Sequence, residues 1–196
     1  IYVNRGTFKS TESFMTNSRA YNGGFILAIN RSVVSIVQSL ITGNYATHFG
    51  GGLHADDNAH VNLNFSSVKS NVANSKGGGI YIKNCSGTFV ESNFSHNYAK
   101  SFGGGLRTDP GTKLPITAST FYNNTAGESG AGIHNYGDLT IMTVRKSTFL
   151  HNRADRAAAI YSGIGATFIM YNSNVFENYA TPAGQYGIKN NFATTG

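Results

Sequence analysis

One pattern governs the whole chain: an apolar residue is followed three positions later by asparagine, and this pair returns every 26 to 28 residues. A second motif of small residues closing on Ile or Leu follows each asparagine, as in Gly78-Gly79-Ile80. A fixed period of this length is the signature of a repeat protein in which each repeat is one structural unit. The seven apolar/Asn pairs are Phe14/Asn17, Ile41/Asn44, Val68/Asn71, Phe94/Asn97, Phe121/Asn124, Phe149/Asn152 and Val175/Asn178.

Short alternating segments inside each repeat, such as 79–83 and 87–91, are typical of strands and leave no room for a stable helix. The sequence therefore predicts an all-β fold, a single right-handed parallel β-helix of about seven coils that spans residues 1–196 as one domain. In such a solenoid, equivalent residues of successive coils stack about 4.8 Å apart. Each column of the sequence alignment becomes a physical column.

We interpret the asparagine column and the glycine clusters as structural features. Asparagine at a turn bonds the local backbone, and stacked amides bond one another. The small-residue clusters, most of them glycine-rich, recur in every repeat and lack the strand-to-helix setting of a phosphate-binding loop. Their expected role is to let the chain turn sharply.

The paired motifs, Gly77-Gly78-Gly79-Ile80 with Phe94-Ser95-His96-Asn97 and their equivalents, resemble the repeats of polymorphic outer-membrane proteins and related β-helix surface proteins. The resemblance covers nearly the whole chain and implies the fold more than the function, because β-helices also carry polysaccharide lyases, hydrolases and epimerases. Asp109-Pro110 is followed by Gly111-Thr112, which departs from the Asp-Pro-His-Asp signature of mannuronan epimerases. No site is carried over from that family.

Charge narrows the choice of partner. A net charge of +6 and a pI near 9.5 favour an anionic partner. The basic residues are scattered and no nucleic-acid motif appears, which argues against nucleic acid. No apolar run reaches bilayer length and no basic amphipathic helix is visible, which argues against membrane insertion. We expect a monomer that binds an anionic polysaccharide.

Cys85 is the only cysteine of the sequence, so no intramolecular disulfide can form, and a buried structural thiol is expected. The chain begins at Ile1 without a Met, which fits processing or a cut from a longer precursor. Five N-x-S/T sequons suit a secreted glycoprotein and also arise by chance in a chain this rich in Asn, Ser and Thr. They lie at Asn30, Asn64, Asn84, Asn93 and Asn123.

Two neighbouring columns collect residues capable of chemistry. The residue after each Ile or Leu of the small-residue motif should point outward, because strand side chains alternate. This outer column reads Leu27, His54, Tyr81, Arg107, His134, Tyr161 and Lys189. The second outer column, two residues further on, reads Ile29, Asp56, Lys83, Asp109, Tyr136 and Gly163. Four coil steps from His54 to Tyr161 predict a groove about 19 Å long, enough for a polymer.

Elimination from a uronate needs a cation on the carboxylate, a base for the C5 proton and an acid for the leaving oxygen. Arg107 is the predicted carboxylate neutraliser, since a guanidinium binds carboxylate bidentately. His134 and Tyr81 are the candidate base and acid, with their order left open. The predicted substrate-binding residues are His54, Lys83, Tyr136, Tyr161, Lys76 and Lys100, and Arg153 and Arg156 belong to the same basic cluster as the last two.

Two other interpretations of these columns stand beside the catalytic one. The outer column can be plain packing, because aromatic and long polar side chains stack well between coils. Lys83 between Asp56 and Asp109 predicts a surface salt-bridge ladder, and this intervening Lys also argues against calcium on Asp56, Asp57 and Asp109. We expect neither a metal nor a cofactor.

Two functions from different classes follow. The first is a secreted polysaccharide lyase that cleaves an alginate-like uronate polymer by β-elimination. The second is a non-enzymatic adhesin or surface-display fragment. The charge and the His/Tyr/Arg column favour the first, whereas the resemblance to surface-protein repeats favours the second.

Overall fold

The protein is a stack of parallel strands in four sheets. The structure, a computed structural model, describes residues 1–181 and the strand Ile188–Asn190. Every strand pairs in parallel with its counterparts one coil away, and no helix occurs in the described residues. The prediction of an all-β parallel solenoid of about seven coils is confirmed.

Each coil contributes one strand to each sheet, in the order A, B, C, D. Sheet A contains Tyr2–Asn4, Ile26–Ile29, Leu53–Ala55, Ile80–Lys83, Leu106–Asp109, Ile133–Asn135, Ile160–Ser162 and Ile188–Asn190. Sheet B contains Thr7–Thr11, Val33–Val37, His60–Asn64, Ser86–Val90, Lys113–Thr117, Ile141–Arg145 and Thr167–Tyr171. Sheet C contains Phe14–Thr16, Leu40–Thr42, Ser67–Lys69, Asn93–Ser95, Thr120–Tyr122, Thr148–Leu150 and Asn174–Phe176. Sheet D contains Arg19–Ala20, Tyr45–Ala46, Val72–Ala73, Tyr98–Ala99, Thr125–Ala126, Arg153–Ala154 and Tyr179–Ala180.

The coils differ in length at defined places. Eight residues separate the start of every sheet B strand from the centre of the sheet C strand that follows it. The turn from sheet A to sheet B varies, since six residues separate Ile80 from Ser86 and eight separate Ile133 from Ile141. The connection from sheet C through sheet D to sheet A also varies: within residues 1–181, the next sheet A strand starts 11 or 12 positions after the centre of the sheet C strand. Length differences are therefore confined to the two joints that flank sheet A.

The core is a set of apolar columns between the sheets. Phe94 stacks on Phe121 with ring centroids 4.6 Å apart, and Phe121 stacks on Phe149 at 4.8 Å. These rings are fully buried, as are Ile80 and Leu106 of sheet A. Each buried side chain of this size contributes about 1.5–3 kcal/mol to folding. The repeated apolar position of the sequence is thus the repeated core position of the coil.

The asparagines form a buried ladder, as the structural interpretation predicted. Asn124 is typical: its Nδ2 donates to Asn152 Oδ1 at 3.0 Å and to the Phe94 carbonyl at 2.8 Å. Its Oδ1 accepts from the backbone N–H and the Nδ2 of Asn97. The Asn ladder contains Asn44, Asn71, Asn97, Asn124, Asn152 and Asn178.

The predicted pair Phe14/Asn17 is wrong by one residue. Met15 pairs with Ile41 and is buried, whereas Phe14 is 78% exposed. Ser18, rather than Asn17, occupies the ladder position, and its N–H donates to Asn44 Oδ1. Two adjacent apolar residues allow either alignment, and only the register of the strands decides between them.

A second polar ladder escaped the sequence analysis. A serine lies two residues before the central residue of every sheet C strand, and its backbone N–H donates to the hydroxyl of the next serine at 3.1–3.2 Å. This spacing is visible in the sequence and could have been found there. The serines are Ser13, Ser39, Ser66, Ser92, Ser119, Ser147 and Ser173.

Candidate active site

The outer column lies in register on sheet A. His54 pairs with Tyr81, Tyr81 with Arg107, and Arg107 with His134, which pairs with Tyr161. The alternation of strand side chains thus predicted the correct face. The side chain of Lys189, next in this column, lies outside the described residues.

This column points away from the core and is nevertheless buried. His54, Tyr81, Arg107 and His134 are each 3–5% exposed. A second stack of residues covers them, in the connection from sheet D to sheet A. We call it the loop ladder; its members pair one coil apart in the order Phe49, Lys76, Phe102, Ser129 and Arg156. The open groove expected from His54 to Tyr161 is therefore absent over its first part.

Aromatic side chains of the loop ladder close this part. Phe49 stacks on Tyr81 with ring centroids 4.8 Å apart and meets the ring of His54 edge-on at 5.9 Å. Phe102 meets the ring of His134 at 4.9 Å. The loop ladder thus covers His54 and Tyr81, and their burial is what packing between coils would produce.

Glycine lets the loop ladder approach so closely. Gly103 follows Phe102 and has φ +68°, a left-handed conformation that glycine adopts without strain. A Cβ on Gly103 would lie 2.6 Å from the Leu106 carbonyl oxygen and 2.8 Å from the Arg107 Cβ. The glycine clusters that look like generic turn signals therefore also set the distance between the loop ladder and the outer column.

Arg107 is engaged by a carboxylate of its own strand. Its Nε lies 2.5 Å from Asp109 Oδ1, and its Nη2 contacts the same oxygen. The hydroxyl of Tyr81 donates to Asp109 Oδ2 at 2.6 Å, and Lys76 Nζ lies 4.0 Å from that atom. Burial, together with the charge and hydrogen bond of Asp109, raises the pKa of Tyr81. Asp109 therefore neutralises Arg107 and holds Tyr81 protonated.

The predicted salt-bridge ladder of the second outer column forms only in part. Lys83 Nζ lies 3.8 Å from Asp56 Oδ2, as expected. Asp109 instead turns toward Arg107, because that ion pair is buried and two guanidinium N–H groups contact the same carboxylate oxygen. Burial raises the pKa of Asp56.

Both histidines of the outer column are held neutral. Burial, and then the charges of Arg107 and Lys76, lower the pKa of His134 well below its usual value. Its ring stacks on Tyr161 at 4.3 Å and its two nitrogens contact Arg107 Nη1, with Nε2 at 3.2 Å. Burial, followed by the charge of Lys83, lowers the pKa of His54 to about 4. Neither nitrogen of His54 has a hydrogen-bond partner in the described part of the chain.

A cavity of about 330 Å³ opens where the aromatic cover ends. It is lined by Lys76, Phe102, Arg107, Ser129, His134, Tyr136, Arg156 and Tyr161. Five predicted site residues are thus brought together here: Lys76, Arg107, His134, Tyr136 and Tyr161. Tyr81, His54 and Lys83 lie beside it on sheet A but outside the lining, and Lys100 is exposed at the end of a sheet D strand, away from the lining.

Phe102 and Ser129 are site residues that the sequence analysis missed. They belong to the loop ladder, one residue before the small-residue cluster of each coil. That position is recognisable in the repeat. Its contents, Phe, Lys, Phe, Ser and Arg, show no common character that would have marked it as part of a site.

A larger depression of about 770 Å³ lies at the turns between sheets A and B, lined by Arg5, Asn30, Arg31, Asp57 and Asn58. Four of these five residues are exposed, and the depression holds no buried titratable group. By volume alone, this depression would be the better candidate for an active site. Catalysis, however, requires preorganised polar groups, which the smaller cavity has. We take the smaller cavity as the candidate site.

Cys85 is a buried thiol, as expected, and burial raises its pKa to about 12. No group of three His, Cys, Asp or Glu side chains suited to a metal ion occurs within residues 1–181. In the same part of the chain, no helix has the length and apolar character needed to cross a membrane.

Comparison with known proteins agrees with this architecture. No curated protein and no solved structure matches the chain. A family model described as "right handed beta helix region" matches residues 23–195. Because the match covers most of the sequence, the chain belongs to the right-handed β-helix family.

Proposed function

We propose that this protein is a polysaccharide lyase that cleaves an acidic, alginate-like uronate polymer by β-elimination at the cavity beside His134. The observation that carries the proposal is a neutral histidine, His134, lining a cavity together with the two weakly paired cations Lys76 and Arg156. A neutral imidazole can accept a proton, and cations can stabilise the negative charge that develops on a uronate.

In the proposed reaction, His134 gives up its hydrogen bond from Arg107 Nη1 and takes the C5 proton of the uronate. The electrons of the C5–H bond form the C4–C5 double bond, and the bond from C4 to the glycosidic oxygen breaks. Tyr161, which stacks on His134, gives its hydroxyl proton to that oxygen. Tyr136 also lines the cavity and is the alternative donor. Tyr81 loses its predicted role as acid, because its hydroxyl donates to Asp109 outside the cavity lining.

The test is a spectroscopic assay on four polymers: alginate, polymannuronate, polygalacturonate and hyaluronan. The unsaturated uronate product absorbs in the ultraviolet, and we expect absorbance to rise with one polymer and to survive added chelator. His134→Phe and Tyr161→Phe should each lower the rate at least about 100-fold, as loss of a general acid or base does. Lys100→Ala, an exposed cation outside the cavity lining, is the matched control. No rise in absorbance with any of the four polymers, or full activity in His134→Phe, would reject the proposal.

The alternative is a non-enzymatic adhesin or surface-display protein. It is favoured by the burial of four outer-column side chains, which is what packing between coils alone would produce. Binding of an acidic polymer without any product would favour it over the lyase. Secretion, a monomeric state and glycosylation belong to both proposals and remain expectations.

A further inference from the structure

Arg107 is only 4% exposed, and the charge of its guanidinium is already paired with a carboxylate of the protein. Asp109 engages Nε and Nη2, and His134 engages Nη1, so all three nitrogens have partners among the described residues. A ligand carboxylate at Arg107 would also lie beside the negative charge of Asp109, which repels it. The residue predicted to hold the substrate carboxylate is therefore already occupied.

Lys76 and Arg156 of the loop ladder are in the opposite situation. Both line the cavity, and their side chains are 29% and 54% exposed. Their nearest acidic oxygens, on Asp109 and Glu128, are each 4.0 Å away, which is the weak limit of an ion pair. Neither pair is close enough for a hydrogen bond, so an incoming anion can bind either cation without breaking one.

The distance between these two cations follows from the ladder. Lys76 pairs with Phe102, Phe102 with Ser129, and Ser129 with Arg156, so three coil steps separate them. Three steps of strand spacing give about 14 Å along the helix axis. This is longer than one sugar, so one uronate residue cannot contact both cations.

We infer that the acidic polymer lies along the loop ladder, parallel to the helix axis, with the carboxylates of two non-adjacent sugars held by Lys76 and Arg156. Arg107 is then a positioning residue, which keeps His134 neutral and fixed. This inference rests on the proposed function, whose ligand it specifies: an oligouronate of roughly four sugars is the shortest that spans both cations.

The test is calorimetric titration with oligouronates of two, four and six sugars, with ultraviolet absorbance reporting any cleavage. For the unmodified protein, we expect the four-sugar ligand to bind at least about tenfold more tightly than the two-sugar ligand, because it gains a second charged contact. Lys76→Ala and Arg156→Ala should each abolish this step. The double variant Lys100→Ala/Arg153→Ala removes two exposed cations that lie outside the cavity lining, one after and one within a sheet D strand, and should preserve this difference.

The inference is overturned if affinity rises smoothly with length, or if the Lys100/Arg153 control loses the step as fully as the cavity variants. Binding to no oligouronate overturns both this inference and the proposed function. A length step without cleavage of any polymer supports the inference and rejects the lyase. Cleavage without a marked gain in affinity between two and four sugars supports the lyase and rejects the inference. The failure of one proposal can therefore be told from the failure of the other.

Discussion

Two polar columns run along this β-helix, and they differ in how their atoms are satisfied. In the Asn ladder, identical residues bond one another, and each amide has partners in the next coil and in the backbone. In the outer column, neighbouring coils carry different residues, so Arg107 pairs with Asp109 whereas His54 has no hydrogen-bond partner in the described chain. A column of identical residues can satisfy its hydrogen-bonding groups within the column. A column of varied residues leaves hydrogen-bonding groups that need a partner from another column or from a ligand.

The sharpest test of this comparison removes one member of the Asn ladder. Asn124→Ala leaves the Phe94 carbonyl and two N–H donors of Asn97 without their bonds. Each unsatisfied buried group costs about 1–3 kcal/mol, so we expect unfolding free energy to fall by about 4 kcal/mol. Urea denaturation followed by circular dichroism measures the loss. A loss below about 1 kcal/mol would mean that the ladder is not a structural element of the fold.

Removal of one hydrogen-bonding partner in the outer column should lower the free energy of unfolding somewhat less. Asp109→Asn keeps the shape but leaves Arg107 as a buried charge without its counter-ion. Removal of one partner of a buried ion pair costs about 3 kcal/mol or more. The same denaturation experiment measures it, with Asp138→Asn, an exposed acidic residue of a turn, as the control. Equal stability of the two variants would contradict the pairing described for Arg107.

Acid should destabilise the protein through His54. Its pKa is about 4 in the folded chain against 6.5 when exposed, so the unfolded chain binds the proton first as pH falls. Stability is then complete above about pH 6.5 and decreases toward pH 4, by about 2 kcal/mol between pH 7 and pH 5. The raised pKa of Asp56 acts in the opposite direction. Burial also lowers the pKa of His134, so His54→Phe should reduce the pH dependence of unfolding without removing it, and an unchanged slope would exclude His54 as a source.

The smallest effect is expected on the outer face of sheet B. Thr88 donates to Asn62 at 2.9 Å, a polar pair between coils that is only partly buried. Water can replace this bond, so Thr88→Val should change unfolding free energy by no more than about 0.5 kcal/mol. A loss comparable to that of Asn124→Ala would show that stacking alone, independent of burial, stabilises polar columns.

Much of the fold was predictable because a period determines it. The positions of Ile41, Val68 and Phe94 in the core followed from the spacing, and the alternation of strands placed Arg107 and His134 on one face. The first coil was misaligned because Phe14 and Met15 are both apolar, and sequence spacing alone does not fix strand register.

The burial of the outer column was not predictable by the same logic. Alternation indicates which face a side chain occupies and contains no information about a segment that folds over that face. Phe49 and Phe102 stand in a loop position with no fixed residue type, so their cover over Tyr81 and His134 became visible only in three dimensions. For the same reason, the sequence could assign Arg107 to a ligand when Asp109 already holds it.

The uneven coil lengths have a consequence for how such a protein can change. The segment from sheet B to sheet C has the same length in every coil, so an inserted residue there would shift a strand and turn its core side chains outward. The two joints beside sheet A already accept coils of different length. Insertions can therefore accumulate around the candidate site while the solenoid stays intact, which makes these joints the natural places to graft loops that alter specificity.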